Sequence, residues 1–550
     1  MDLLLFLILV SPVLAIKTDP REDFYHAAVV EYCPYEGKDG NDTMMRNAAE
    51  YVRLIQKAAE TADILVFPEY GLCYEYENEF VEIPFGKNEP APADNPNLHP
   101  VIRMLSKAAR DNQIYVSINI MEKDLSTGEE LTYNANIVFD RKGIVISKYR
   151  KFNLYYEKVN TTKVPDIAIF ETDFCVRFGV FICADIFHKE PALTLVNEKN
   201  ITDFIYPNWF YAELQLGLSV QIQFGWAYMT DSNLLSAGVT SLEQGSTGSG
   251  IFAGRKGTLI NIINERNETR ILTGKVLKKM RSNAEHCIIG KSEDRILEPL
   301  TPGVDSTHEI EPENFQNYAT DMLLPEVIKE LSAGPDGSYY LNEIMHPRTC
   351  QCSVCCDFYV NVTFTFKPLK YLNMSDLSYL KNDSFYHYQY RFATFDGIKD
   401  FPDGGSKGIQ VCAIIPCLDD SLTSCWKKTG NAKPLQIHSQ SHGDIFLYST
   451  TFNKISIKST PEEEIPDFTF PNILDSSKSS SLKAFGSPPD VSNLEFSSDE
   501  RSSKLSYSTD RLIYAGLYSR ISSRDGGKPS NYSAPAYFPP YRPHPLFSVQ

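Results

Sequence analysis

Glu69, Lys151 and Cys183 together hold the parts needed to cut an amide bond through a thioester. Amide hydrolysis requires a nucleophile, a proton carrier for the leaving amine, and a cation or dipoles for the oxyanion. Cys183 would supply the nucleophile. A free thiol has a pKa of about 8.5 and stays mostly protonated near neutrality unless a base or cation adjoins it. Glu69 suits the general base and Lys151 the neighbouring cation. Glu69 could then return the proton to the amine and activate the water that cleaves the thioester. A sharp turn after Cys183 would aim the Ala184 backbone N–H at the developing oxyanion. Glu157 is a candidate second carboxylate, orienting Lys151 or the water. The scheme calls on no metal and no cofactor.

Each residue sits at or just beyond the end of an apolar run that reads as a strand. The runs are Ile64-Leu65-Val66-Phe67, Ile144-Val145-Ile146 and Phe178-Gly179-Val180-Phe181-Ile182. In a sheet flanked by helices, strand ends gather along one edge, so residues distant in sequence can share one pocket. Ala48, Val52, Ile55 and Ala59 recur at helical spacing before the first run. Val101, Met104 and Ala108 do the same before Ile114-Tyr115-Val116-Ser117-Ile118. Strands alternating with amphipathic helices mark residues 24–295 as an α/β layered domain. Taken singly, each candidate has a plainer reading: a solvated strand end for Glu69, an exposed basic stretch around Lys151, a buried small hydrophobe for Cys183. Their conjunction, in this order, favours the chemistry.

Phe67-Pro68-Glu69, Tyr149-Arg150-Lys151-Phe152-Asn153-Leu154 and Gly179-Val180-Phe181-Ile182-Cys183-Ala184-Asp185 resemble the Glu, Lys and Cys motifs of the nitrilase, or carbon-nitrogen hydrolase, superfamily. Within it the chain is more similar to the vanin (pantetheinase) and biotinidase branch. The shared features are an apolar leader, sequons, Thr247-Gly248-Ser249-Gly250-Ile251 and a cysteine-bearing β domain. The resemblance implies an αββα sandwich and hydrolysis of pantetheine to pantothenate and cysteamine, or of biotin amides. In that branch the Glu motif commonly continues Asp-Gly, where this chain has Tyr70-Gly71. A Pro-Thr-Ala-Trp stretch of the branch stands here as Pro207-Asn208-Trp209-Phe210, which moves the Trp by one position. Tyr70, Asn208, Trp209 and Phe210 are therefore the candidate substrate-pocket residues.

At 550 residues the chain exceeds what one core usually organises. After about Leu300 the texture shifts to short alternating runs such as Phe358-Tyr359-Val360-Asn361-Val362-Thr363-Phe364. Residues 300–523 thus read as a second, β-rich domain, with a loop around Ser476 to Ser481, and 524–550 as a flexible tail. Eight of the 12 cysteines follow residue 280. The Cys350-x-Cys352-x-x-Cys355-Cys356 cluster is too crowded for a standard zinc module, which leaves disulfides and an oxidising compartment as the expectation. If Cys183 stays a thiol, at least one of the other eleven must also remain unpaired within the chain.

Residues 1–15 are apolar from Leu3 to Val10 and end in Val13-Leu14-Ala15, suited to signal-peptidase cleavage. The run is too short to span a bilayer. Sequons at Asn41, Asn160, Asn200, Asn267, Asn361, Asn373, Asn382 and Asn531 add to the expectation of a secreted glycoprotein. A net charge of -17 argues against nucleic acid and anionic membrane surfaces as partners; the expected partner, from the chemistry of the three residues and the resemblance, is a small-molecule amide.

Three other readings compete. A papain-like enzyme would need a histidine, and His188 lies too close in sequence to pair easily. Gly245-Ser246-Thr247-Gly248-Ser249-Gly250 lacks the serine-hydrolase elbow and reads as a flexible turn. A secreted binding protein on an inactive scaffold would be favoured by loss of any of the three residues, and all are present.

Overall fold

The computed structural model describes residues 17–526 apart from 75–78, 87, 156, 211–218, 265, 280–314, 324–331, 336, 369–387, 401–405, 427–435, 439–444, 476–487, 500 and 510–511. The leader, the Ser476 to Ser481 loop, Cys287, three sequons (Asn373, Asn382, Asn531) and the tail beyond Gly526 lie outside the described residues. Of the other sequons, Asn41, Asn160, Asn200 and Asn267 are exposed and Asn361 is half-buried. Among the described residues no helix is long and apolar enough to cross a membrane.

The first half builds strands β1 (Phe24–Glu31), β2 (Ile64–Val66), β3 (Tyr115–Asp124), β4 (Leu131–Phe139), β5 (Val145–Arg150), β6 (Ile169–Glu171), β7 (Arg177–Val180), β8 (Asp203–Asn208), β9 (Asn233–Gly238), β10 (Ser249–Ala253), β11 (Thr258–Ile262) and β12 (Arg270–Leu277). Helices α1 (Gly40–Ala58), α2 (Pro100–Asp111), α3 (Thr194–Asn197) and α4 (Ser219–Thr230) separate some of them. Asp39 starts α1 by accepting from the Asp42 N–H, and Pro100 opens α2, where a missing N–H costs nothing. Of the residues whose spacing announced α1, Ala48, Ile55 and Ala59 are buried and Val52 is half-buried, and Tyr51 and Leu54 complete the buried face.

Two six-stranded mixed sheets result, ordered β12-β1-β2-β3-β4-β5 and β11-β10-β9-β8-β7-β6. Side-chain alternation along β1 explains the layering. Tyr25, Ala27 and Val29 pack with Phe178, Val180, Ile205 and Leu235 between the sheets, while Ala28 and Val30 pack under α1 and α2 with Leu54 and Leu105. On the far side, the Trp226 ring of α4 lies 5.0 Å from Phe181 and 5.1 Å from Phe204. The order is helix, sheet, sheet, helix, the expected αββα sandwich. Each fully buried Val, Ile or Phe contributes about 1.5–3 kcal/mol relative to an exposed one.

The remainder forms two antiparallel sheets. One runs Ala319–Leu323, Gln389–Asp400, Ser406–Cys417, Leu512–Arg520, Phe468–Asp475; the long strands Val354–Pro368 and Ile445–Pro461 anchor the other. Cys356–Cys412 joins the two sheets, and Cys350–Cys355 and Cys417–Cys425 close shorter segments. In the chain-entropy view the first, closing 56 residues, stabilises by about 4 kcal/mol. Cys352 stays an exposed thiol, and Cys33 and Cys73 join Cys183 outside any disulfide. The sandwich packs on α4: a Cβ at Gly225 would lie 2.4 Å from the Pro471 carbonyl oxygen, so only glycine permits this approach.

Asp203 ties the two sheets of the first half together. One oxygen accepts from Tyr25 Oη (2.9 Å) and Asn233 Nδ2 (2.7 Å), the other from Thr202 Oγ1 (2.9 Å). Burial pushes its carboxyl up to about 6 despite these donors. A folded value above the unfolded one means the folded state holds the proton more tightly. Stability from this group therefore falls as pH rises from about 4 through about 6 and stays low above. Asp203→Asn keeps the doubly bonded oxygen, and the Thr202 hydroxyl can turn to accept from the new amide. The variant should gain on the order of 1–2 kcal/mol at pH 7.5 and little at pH 4.5. Thermal unfolding at both pH values checks this; an equal shift at the two would refute it.

Candidate active site

The seam between the sheets gathers the three residues singled out in the sequence. Glu69 lies three residues beyond β2, Lys151 directly follows β5, and Cys183 lies three residues beyond β7. Glu69 and Lys151 thus come from one sheet and Cys183 from the other, so the shared edge belongs to the pair of sheets and not to a single one. Along β5, Ser147 and Tyr149 are buried on one face while Lys148 and Arg150 turn to the other and pair with Glu122. The register then delivers Lys151, alone of the three basic residues, into the buried site.

Glu69 is 1 % exposed and its oxygens are fully engaged. Oε1 accepts from Lys151 Nζ at 2.8 Å and Asn134 Nδ2 at 2.7 Å; Oε2 accepts from the Trp209 N–H at 3.0 Å. Lys151 also donates to Glu157 Oε1, and Glu157 Oε2 accepts from the Tyr155 N–H. The Cys183 thiol donates to the Trp209 carbonyl at 3.5 Å, and the charges of Glu69 and Lys151 both act on it. The backbone of one residue, Trp209, therefore spans carboxylate and thiol.

Burial and Glu157 raise the proton affinity of Glu69 against the pull of Lys151. Burial also opposes the charge on Lys151, but Glu157 and Glu69 outweigh it and hold the ammonium well above the usual lysine value. Burial pushes the Cys183 thiol well up, Glu69 adding to it and Lys151 opposing. The resting site therefore pairs a neutral thiol with a carboxylate that is more basic than usual and a permanently charged lysine. This arrangement can move a proton from sulfur to Glu69 while sulfur attacks, with cation and backbone dipoles beside the new oxyanion.

Cys183 begins the short helical turn Cys183–Phe187 with φ 42°, a left-handed backbone that side chains seldom adopt. Ala184 is buried within this turn, directly after the thiol. Asp185, two residues on, locks it. Its carboxylate accepts from the Ile182 N–H (2.9 Å), Tyr149 Oη (2.8 Å), the Asn153 N–H (3.0 Å) and Asn153 Nδ2 (2.7 Å), while burial lifts its pKa to about 6. Tyr206 Oη donates to the Cys183 carbonyl at 2.9 Å. His188 is pushed down to about 3 by burial, with Lys407 and Arg520 adding to it, which disfavours an imidazolium partner for the thiol.

Asn134 and Tyr206 escaped the sequence reading, and Tyr149, Asn153 and Asp185 entered it only as letters of the motifs, without a role. A signal existed for the first: Asn119, Asn134 and Asn136 interrupt otherwise apolar β3 and β4, and buried amides need partners. Asn119 and Asn134 form a relay, Asn119 Nδ2 donating to Asn134 Oδ1 at 2.6 Å and Asn119 Oδ1 accepting from the Tyr70 N–H at 2.9 Å.

Tyr70 has φ 56° and its ring lies 6.0 Å from that of Trp209. A Cβ at Gly71 would fall 2.0 Å from the Tyr51 hydroxyl oxygen, which accounts for the glycine after it. Asn208 is fully buried and donates to Ser236 Oγ and the Ala237 carbonyl of β9, both at 2.9 Å. Phe210 packs on Phe187 with ring centroids 5.9 Å apart. The Gly245 to Gly250 segment is more than a flexible turn. Thr247, Ser249 and the Gly248 N–H, with Thr240, donate to the buried Glu31 carboxylate and join β1 of one sheet to β10 of the other.

Residues 26–215 match the carbon-nitrogen hydrolase family and residues 341–525 the vanin C-terminal domain. The chain is 32% identical over 477 residues to Vanin-like protein 1 of Drosophila melanogaster, across 83% of this chain and 78% of that protein. It is 25% identical over 435 residues to pantetheinase of Homo sapiens, across 74% and 76%. Over 230 residues it is 32% identical to biotinidase of Bos taurus, across 38% and 44%.

Proposed function

We propose, for a chain that belongs to the vanin-like branch of the carbon-nitrogen hydrolase family and is an amide hydrolase of that branch, that it cleaves pantetheine to pantothenate and cysteamine in the extracellular space. The observation that carries the reading is one buried site in which Lys151 pairs with Glu69 and the Trp209 backbone bonds both Glu69 and Cys183.

Cys183 Sγ attacks the amide carbon as its proton passes to Glu69. Lys151 and the Ala184 N–H stabilise the oxyanion, and Glu157 keeps Lys151 aimed and charged. Glu69 then protonates the departing nitrogen, releasing cysteamine and leaving pantothenate as a thioester. A water gives its proton to Glu69 as it attacks, and the collapse returns the thiol. The raised proton affinity of Glu69 suits both transfers, since a better base is also an acid of pKa nearer neutrality. Tyr70, Trp209 and Phe210 would bound the substrate, with Asn208 setting the Trp209 peptide.

Pantetheine is favoured over biotin amides because the pantetheinase likeness spans three quarters of the chain and the biotinidase likeness only 38%. Secretion is supported by the apolar leader ending Val13-Leu14-Ala15, the exposed sequons and the disulfides. Protein recovered from the medium of eukaryotic cells should begin at Ile16. In parallel assays of amine release it should turn over pantetheine at least about tenfold faster than biocytin, a difference near 1.4 kcal/mol in transition-state binding. Equal or reversed rates would assign the biotin-amide reading instead.

A further inference from the structure

The nucleophile's turn is held from both domains. A left-handed residue costs about 1–2 kcal/mol and persists only where its surroundings over-determine it. At the start of the turn the holding groups are Asp185 and Tyr206, both in the catalytic domain. At its end they come from elsewhere. Arg520, fully buried on the last strand of the second domain, donates from Nε to the Phe187 carbonyl at 3.2 Å. Its remaining donors go to Asp525 at 2.7 Å and to the Gly408 carbonyl, both in its own domain. The Phe187 ring lies 6.3 Å from that of Tyr518, and Lys407 Nζ stands 5.0 Å from the Phe187 ring and 5.1 Å from the Tyr155 ring. Tyr155 is the residue whose N–H holds Glu157, the carboxylate on Lys151.

From this geometry we infer that Arg520 and Lys407 are positioning residues for the hydrolysis: the second domain sets the angle of Cys183 through Phe187 and the seat of Lys151 through Tyr155. A buried guanidinium is an expensive way to fasten two domains, since desolvation offsets most of the gain. A planar fork with fixed donors is an effective way to hold one carbonyl in place. Among the described residues, its side-chain bond into the catalytic domain falls on the last residue of the nucleophile's turn. The inference deepens the proposed reaction and rests on Cys183 as its nucleophile.

The test uses the full-length protein and the variants Arg520→Lys, Arg520→Met and Lys407→Gln. Folded protein is isolated by size exclusion so that misfolded chains do not enter the rates, and alkylation by iodoacetamide is followed by mass spectrometry at the Cys183 peptide, because Cys352 is also an exposed thiol. In the isolated protein, kcat should fall about tenfold in Arg520→Met and less in Arg520→Lys, with KM within about twofold. The pH dependence of the alkylation rate, which involves no substrate, should shift in both and in Lys407→Gln. If Arg520→Met does not fold, the other two variants decide. Unchanged kcat and an unchanged alkylation profile in Arg520→Lys and Lys407→Gln would overturn the inference, leaving Arg520 a fastening between domains. Wild-type activity that survives complete alkylation of Cys183 would instead overturn the reaction scheme, while the alkylation profiles would still report on the turn.

Discussion

Cys183→Ala is expected to lower amide turnover by about 10⁴–10⁶-fold, leaving only what the oxyanion donors and binding can do with water alone. The substitution removes one buried sulfur and leaves the Cβ, so the backbone strain at φ 42° is unchanged and the unfolding temperature should hardly move. Cys183→Gly should be equally inactive yet more stable than the alanine variant, by roughly 0.5–1 kcal/mol. It escapes the left-handed cost, while its looser unfolded chain takes part of the gain back. That pairing separates strain from chemistry: two inactive proteins, ordered in stability by the backbone alone. Turnover of pantetheine, thermal unfolding of both variants, and mass spectrometry of the wild type trapped in mid-reaction as a Cys183 acyl adduct check it. Residual activity within tenfold of wild type in either variant would remove Cys183 from the reaction.

The parts of this site that were legible in the sequence are those written in one short segment. Phe67-Pro68-Glu69 and the run into Cys183 announce strand ends because apolar residues stop there, and a strand end in a layered α/β domain faces a cleft. The period of two along β5 carries more information than its charge: Ser147 and Tyr149 inward, Lys148 and Arg150 outward, and Lys151 just past the strand. Read by charge alone, the same stretch passes for an exposed basic face. What stayed hidden depends on pairing across the fold. Trp209 touches Glu69 through 140 residues of separation, and no local pattern states that its main chain will serve as clasp. The role of Thr247 to Ser249 was equally hidden, since Glu31 lies 217 residues from Gly248 and a serine- and glycine-rich turn has the composition of a flexible loop whether or not a carboxylate fills it. Arg520 belongs to the same class, a buried cation whose bond to the Phe187 carbonyl spans 333 residues.

Lys151→Met should be damaging on two separate counts, and a second substitution can divide them. Lys151 is the cation between two buried carboxylates, Glu69 and Glu157. Removing it leaves like charges facing each other in a dry site, which costs about 3–5 kcal/mol of stability at neutral pH. Without the ammonium, the folded-state pKa of Glu69 rises further, since Lys151 is the group that holds it down. A carboxyl whose folded value exceeds its unfolded one loses stability as pH rises, so the deficit of the variant should be larger at pH 8 than at pH 5. Turnover should fall about 10²–10³-fold through loss of the oxyanion cation. Lys151→Met with Glu157→Gln removes the facing charges and should recover most of the unfolding temperature and flatten its pH dependence, yet recover none of the activity. Differential scanning calorimetry and amine-release assays on the single and double variants give both readings. Activity that returned together with stability would mean that Lys151 serves the fold alone, and the oxyanion would then have to be held by backbone donors such as the Ala184 N–H.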